Sequence, residues 1–307
     1  MELSEVVMLM AQRFPFLFRS LLELSVRGYL PPMHRHWLFQ SIARQLFEED
    51  GLPVWRTPYK LSVPRDLLPI YLEYSNFLDY EPLTRRVFLA SLKPGFVVID
   101  VGANIGWYTL LAASAVGPEG RVHAVECAPQ NLSLLEYNVR KNKLHHVRIH
   151  PYAAGLARGT QTLNVSPVGL AGFSPCSRWP TIPGSGTTVT VPVVPLDEVI
   201  GVPVHLVKID VDGFDLQVLK GMKRIVSANK ELAVIVEWAA PMLSNAGADP
   251  FELPAWLQDA GFRKVVVLDE YYKRRRSLDE TTRLLAERRL PPDWVCNLFA
   301  SRRFSAS

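Results

Sequence analysis

Apolar and polar positions divide the chain into two unlike stretches. The first eighty residues carry a helical period. Arg19, Glu23 and Arg27 recur at i, i+4 and i+8 and form one polar stripe. Phe16, Leu17, Phe18, Leu21, Leu22, Leu24 and Val26 cover the rest of that helix, which Pro15 opens and Gly28 ends. Pro31 and Pro32 break the pattern, and a second helix places Leu38, Phe39, Ile42 and Leu46 on one face. So wide an apolar surface needs a cover. The main domain or a partner subunit supplies it most simply; a membrane surface or lipid-like substrate is the alternative.

From about residue 95 the period changes to apolar runs alternating with amphipathic helices. Runs at 96–101, 121–126, 147–150, 205–211, 231–238, 262–268 and 294–301 read as seven strands, and 215–226 and 250–260 as helices among the crossovers. Such alternation predicts a mostly parallel sheet covered on both faces. The segment between the last two strands has no crossover of the usual kind, only a candidate helix at 278–289, so the final strand is expected to return antiparallel. Residues 155–195, rich in Gly, Pro, Ser and Thr, read as an inserted hairpin built on 160–165 and 187–193, with a long loop. The division expected is therefore an N-terminal helical extension, 1–78, and an α/β domain, 79–307.

Composition narrows the classes. Across 307 residues, 48% are apolar and 21% charged, which suits a buried core, not disorder. A net charge of +4 is too small to suggest a nucleic-acid partner. Cys127, Cys176 and Cys296 form no CxxC pair, which disfavours disulfides and zinc and favours a reducing compartment. Glu2 and Glu5 stand where a signal peptide is basic, and no uncharged apolar run reaches 18 residues. The expected location is the cytoplasm, with peripheral membrane contact through the N-terminal helices as a further option.

The sharpest chemical signal is Asp100-Val101-Gly102-Ala103-Asn104-Ile105-Gly106, where an apolar strand turns into a helix. Glycine there lets a ligand approach the backbone, and a helix N-terminus offers unpaired N–H groups. The leading carboxylate repels a pyrophosphate but suits an ammonium, so the pattern favours an amino-acid tail over a dinucleotide. Glu126 closes the next strand, where an acid can take both hydroxyls of a ribose. That step fits NAD and S-adenosylmethionine equally. A plain glycine turn with Asp100 as a helix cap is the competing reading of the motif.

Taken together, residues 96–109 (FVVIDVGANIGWYT), 122–129 (VHAVECAP), 207–221 (VKIDVDGFDLQVLKG) and 297–302 (NLFASR) resemble the FkbM family of S-adenosylmethionine-dependent methyltransferases; Tyr80-Glu81-Pro82 resembles a segment just upstream of its first strand. The resemblance spans residues 76–302. It implies a Rossmann-like class I methyltransferase fold with an antiparallel last strand, and methylation of an oxygen on a sugar, glycolipid, polysaccharide or secondary metabolite. By position it assigns Asp100, Gly102, Ala103, Asn104, Gly106 and Glu126 to the methyl donor and sets Ala153 beside the adenine. The family often carries Glu where this chain has Asp212 and Asp215, so the reach of Asp212 is shortened.

Three acids are the catalytic candidates. Asp210 and Asp212 follow the fourth strand at i, i+2, which puts them on one face if the strand stays regular. Glu237 ends the next strand. Close carboxylates raise one pKa and create a general base or a shared proton; a divalent cation is the less favoured use of the same oxygens. The competing reading is structural, with Asp210 capping the loop and Glu237 paired with Lys208. His205 reads as structural, His145-His146 and His34/His36 as surface, Lys273-Arg274-Arg275-Arg276 as a solvated loop, and Trp107-Tyr108 as either a donor-pocket wall or helix packing. Two other functions remain open: a non-catalytic S-adenosylmethionine-binding regulator, and a nicotinamide-dependent oxidoreductase. A nucleic-acid methyltransferase is disfavoured because Asp-Val-Asp-Gly replaces the Asn/Asp-Pro-Pro-aromatic loop of that class.

Overall fold

The computed structural model describes residues 51–63, 80–165, 187–201, 203–291 and 294–302. Both predicted N-terminal helices, His34, His36, Cys176 and the loop of the 155–195 insertion lie outside them. In chain order the elements are β1 (Leu52–Pro53), β2 (Lys60–Leu61), α1 (Pro82–Ala90), β3 (Val97–Val101), α2 (Trp107–Val116), β4 (Arg121–Val125), α3 (Pro129–Lys141), β5 (Val147–His150), β6 (Ala153–Ala154), β7 (Gly159–Val165) and β8 (Thr187–Val194). There follow α4 (Leu196–Val199), β9 (Leu206–Ile209), α5 (Asp215–Lys220), α6 (Lys223–Ala228), β10 (Ala233–Trp238), α7 (Ala240–Asn245), α8 (Glu252–Asp259), β11 (Lys264–Asp269), β12 (Arg274–Ser277), α9 (Leu278–Ala286) and β13 (Cys296–Ser301).

All seven predicted strands join one sheet, in the order β12-β11-β13-β10-β9-β3-β4-β5. The pairs β10–β9, β9–β3, β3–β4 and β4–β5 are parallel. The last strand, β13, slots between β10 and β11 and runs antiparallel to both. This is the class I methyltransferase arrangement, with β12 added as an eighth, edge strand.

The central strands read as unbroken apolar runs because both faces are covered. One face buries Val98, Ile235, Phe88, Leu110 and Leu111 under α1 and α2. The other buries Ile99, Val101, Val207, Ile209, Val234, Val236 and Trp238 with Leu216, Ile225 and Leu257 from the helices. The predicted hairpin is present as β7 and β8, paired from Gly159↔Val193 to Val165↔Thr187, with β6 on the outer side of β8.

Two sequence expectations give way. Within the stretch read as helical, residues 51–63 form the β1–β2 hairpin, with Leu52, Val54 and Leu61 in the core. Asn138 of α3 holds it: its Nδ2 donates to the carbonyls of Ser62 and Ile105, while the Ser62 N–H donates to Asn138 Oδ1 at 2.7 Å. Local helical period loses here to these long-range side-chain bonds.

The second correction concerns the basic run. Its members Arg274, Arg275 and Arg276 lie in β12, not in a solvated loop, and pair with Asp269, Leu268 and Val267. Period-2 alternation turns Arg276 inward, where its Nε donates to Asp269 Oδ2 at 2.6 Å and its Nη1 to Glu280 Oε1 at 3.0 Å. Lys273, Arg274 and Arg275 stay exposed. Removing one member of a buried pair costs about 3–5 kcal/mol, whereas exposed changes stay within about 0.5. Arg276→Ala should therefore lower unfolding free energy by about 3–5 kcal/mol in urea titrations, and Lys273→Ala, Arg274→Ala and Arg275→Ala by about 0.5 or less.

Candidate active site

The loop after β3 is a tight double turn. Gly102, Asn104 and Gly106 all have positive φ, at 77°, 52° and 105°. At Gly102 the requirement is steric as well as conformational: a Cβ would stand 1.9 Å from the Asp210 carbonyl oxygen. The glycine turn and the acidic segment after β9 therefore touch backbone to backbone and form one site.

The turn uses its own N–H groups. Gly102 and Ala103 both donate to the Val125 carbonyl, Asn104 to Glu126 Oε2 at 2.8 Å, Ile105 to Asn104 Oδ1, and Gly106 to the Ala103 carbonyl. A helix N-terminus ordinarily leaves N–H groups unpaired; here, from Gly102 to Gly106, each has an acceptor inside the protein. The left-handed residues fold the loop back on β4, so the bonds are satisfied before any ligand arrives.

Glu126 stands where the sequence placed it, at the end of β4. It accepts from the N–H groups of Asn104, Cys127 and Ala128, and the nearby Asn131 side chain also favours its charged form. Burial raises its pKa, against the lowering effect of those donors. Asn131 Oδ1 is buried without a partner among the described residues. Ala153 starts β6 and is partly exposed, just past the buried pair His123 Nδ1···His150 Nε2.

Asp100 is 1% exposed and lies beneath the turn, with Oδ2 accepting from Thr109 Oγ1 at 2.6 Å. It belongs to a polar row at the carboxyl ends of the strands, on the face covered by α1 and α2. Asp100 opposes Lys208 across β3–β9, and Glu237 opposes Asn297 across β10–β13. Lys208 is 2% exposed; its Nζ donates to Asp210 Oδ2 at 2.8 Å and sits 4.4 Å from the Tyr108 ring centroid. Burial alone would lower its pKa, but Asp210, Glu81 and Asp100 raise it above the ordinary value. Burial raises the carboxyls of Asp100 and Glu81, and lifts Glu237 well above its usual range, with Asp210, Asp215, Asp212 and Glu81 adding to the effect.

Of the three catalytic candidates, Asp210 and Asp212 both raise the pKa of Glu237, after burial. Their pairing differs from the expectation. The strand ends at Ile209 and Asp212 has φ 50°, so alternation fails there; the i, i+2 partners are Lys208 and Asp210. The loop is capped by Asp215, which accepts from Val211 N and Gly213 N at 3.1 and 3.0 Å and whose pKa burial and Asp210 push up to about 7. Among the described residues no group of three or more His, Cys, Asp or Glu side chains is arranged to hold a metal.

Several site residues escaped the sequence reading. Glu81, the left-handed N-cap of α1, accepts from Tyr108 Oη at 2.7 Å and from Asn297 Nδ2 at 2.7 Å. Asn297 Nδ2 also donates to Thr84 Oγ1. A lysine inside an apolar strand and a Glu-Pro helix start were the available signals. Tyr108 faces inward, edge-on to Phe88, with its ring under the Lys208 ammonium and its Oη on Glu81. His205 is structural as expected: its Nδ1 accepts from Val97 N and its ring stacks on Phe96.

The glycine contact gives a clean stability test. Gly95 has a similar φ of 82°, but among the described residues nothing lies within 4 Å of an added Cβ. Gly95→Ala should cost only left-handed strain, about 1–2 kcal/mol, and Gly102→Ala about 2–5 by adding overpacking. Denaturant unfolding of the two variants measures the difference.

The Methyltransferase FkbM domain matches residues 100–264, over half of the chain. A protein-L-isoaspartate O-methyltransferase from Methanothrix thermoacetophila is 24% identical over 123 residues, 38% of this chain and 59% of that protein. The chain thus spans less than two thirds of that relative. The 31-O-demethyl-FK506 methyltransferase FkbM of Streptomyces tacrolimicus is 28% identical over 181 residues, covering 48% of this chain and 69% of that one. The solved methyltransferase FkbM from Methylobacillus flagellatus aligns over 77% of this chain and 53% of its own, at 17% identity and a TM-score of 0.38. By the match of its central domain, the chain belongs to the FkbM methyltransferase family.

Proposed function

We propose that this protein transfers a methyl group from S-adenosylmethionine to an oxygen of a small-molecule acceptor, a sugar, glycolipid or polysaccharide hydroxyl or that of a secondary metabolite. One observation carries the reading: the contact of Gly102 with the Asp210 carbonyl makes the family's donor turn and the acidic row a single site. The row holds four carboxyls, Glu81, Asp100, Asp210 and Glu237, against the one ammonium of Lys208, and that excess suits a cationic ligand.

When bound, S-adenosylmethionine supplies an activated methyl on a sulfonium. Gly102, Ala103, Asn104 and Gly106 would lie along its amino-acid tail, with Asp100 acting by charge from beneath the turn. Glu126 would take the ribose hydroxyls on its remaining lone pairs, and Ala153 would sit beside the adenine. Asp210, a quarter exposed, is within reach of an acceptor; its role is to orient the hydroxyl and take up its proton, with Asp212 beside it. Aligning the reactants supplies most of the acceleration, and proton acceptance about 10²-fold.

The division into an N-terminal extension, 1–78, and a methyltransferase domain is part of the proposal, with residues 51–63 of the extension packed into the domain's core; so is the extension's role with the 155–195 hairpin in choosing the acceptor. Loops and appendages on a fixed scaffold commonly set specificity.

The test is binding, then turnover. At 100 times its Kd, S-adenosylhomocysteine should add about 2.7 kcal/mol to unfolding free energy, and NADH nothing. Labelled donor and fractionated lysate should put label into saccharide, glycolipid or small-molecule fractions. Asp210→Asn should slow that transfer about 10²-fold while leaving the S-adenosylhomocysteine stabilisation unchanged. Stabilisation by NADH alone, or label in RNA or protein, would refute the reading.

A further inference from the structure

Two buried acceptor atoms in the polar row lack a partner among the described residues: Glu237 Oε2 and Asn297 Oδ1. They belong to residues directly opposed in the β10–β13 register. Directly opposed residues have Cβ atoms about 4.5–5.5 Å apart on the same face, within reach of a Glu and an Asn side chain. Two acceptors set against one another repel, and a buried polar atom without a partner is destabilising. Turning the Asn297 amide over does not help. Its Nδ2 already donates to Glu81 Oε1 at 2.7 Å and Thr84 Oγ1 at 3.1 Å, and a flip would set Oδ1 against the Glu81 carboxylate.

One change satisfies both atoms. We propose that Glu237 is a neutral carboxylic acid whose O–H donates to Asn297 Oδ1, making Glu237 a positioning residue and not the base. The surroundings agree: Asp210, Asp212, Asp215 and Glu81 all disfavour a charge at Glu237, and burial disfavours it further. The proton fixes the amide orientation of Asn297, which fixes Glu81. Glu81 in turn accepts from Tyr108 Oη at 2.7 Å, and the Tyr108 ring supports the Lys208 ammonium that holds Asp210. The proton on Glu237 thus reaches Asp210 through four side chains. Its catalytic meaning rests on the function proposed above; its location does not.

Infrared difference spectroscopy of the full chain, without ligand, tests the location. Subtracting Glu237→Gln from the parent at neutral pH should leave the carbonyl stretch of an un-ionised carboxylic acid, shifted by D₂O. Asp215 cancels in that subtraction because it is present in both proteins. In Asn297→Leu the same band should persist but move, since its acceptor is gone. Rescue gives a second readout. Glu237→Ala should melt lower than the parent, and Glu237→Gln, whose amide can still donate to Asn297 Oδ1, should recover most of the loss. An ionised-carboxylate band in the difference spectrum would overturn the proposal, as would a carboxylic-acid band unmoved by Asn297→Leu. A Gln variant melting as low as the Ala variant would do the same.

Discussion

A single buried ammonium organises the working end of this sheet. Lys208, 2% exposed, lies among Asp100, Asp210 and Glu81, each of which raises its pKa. Buried charges persist only when paired and hydrogen-bonded. The lysine therefore dictates where the carboxylates stand, and they in turn hold the lysine. With more acid than base, the row raises the pKa of Glu81, Asp100 and Glu237, and its excess of acidic groups suits a cationic ligand. The glycine turn completes the device, since only a residue without Cβ allows β3 and the segment after β9 to meet at Gly102 and Asp210.

Much of the fold was legible. Apolar runs of fixed length report strands buried on both faces, and all seven expected strands entered the main sheet. The inserted hairpin was also readable, from paired β-like segments around a Gly/Pro/Ser-rich loop. What stayed hidden depended on long-range partners. Residues 51–63 look helical by local period but are tied into a hairpin by Asn138 and Asn142, some 76–82 positions away. The run of four basic residues looks solvated until alternation in β12 turns Arg276 onto Asp269.

The site was legible in type more than in wiring. The positions of Asp100, Gly102, Glu126, Asp210 and Glu237 at the carboxyl ends of strands follow from the βα pattern. Their partners do not. Asp210 meets Lys208 because the strand stops at Ile209, and Asp215 takes the capping role because the loop turns left-handed at Asp212. Glu81 and Asn297 lie 216 residues apart, a distance no local pattern spans. Family resemblance pointed to both segments without assigning either a task.

Glu126 is the hinge of the account. It holds three backbone N–H groups of the turn, which leaves lone-pair capacity for the hydroxyls of a ribose. A crystal structure with S-adenosylhomocysteine shows directly whether they bind there. Ribose hydroxyls are expected on Glu126, with the amino-acid tail along residues 102–106. Nucleoside bound away from Glu126, or a tail away from the glycine turn, would refute the assignment.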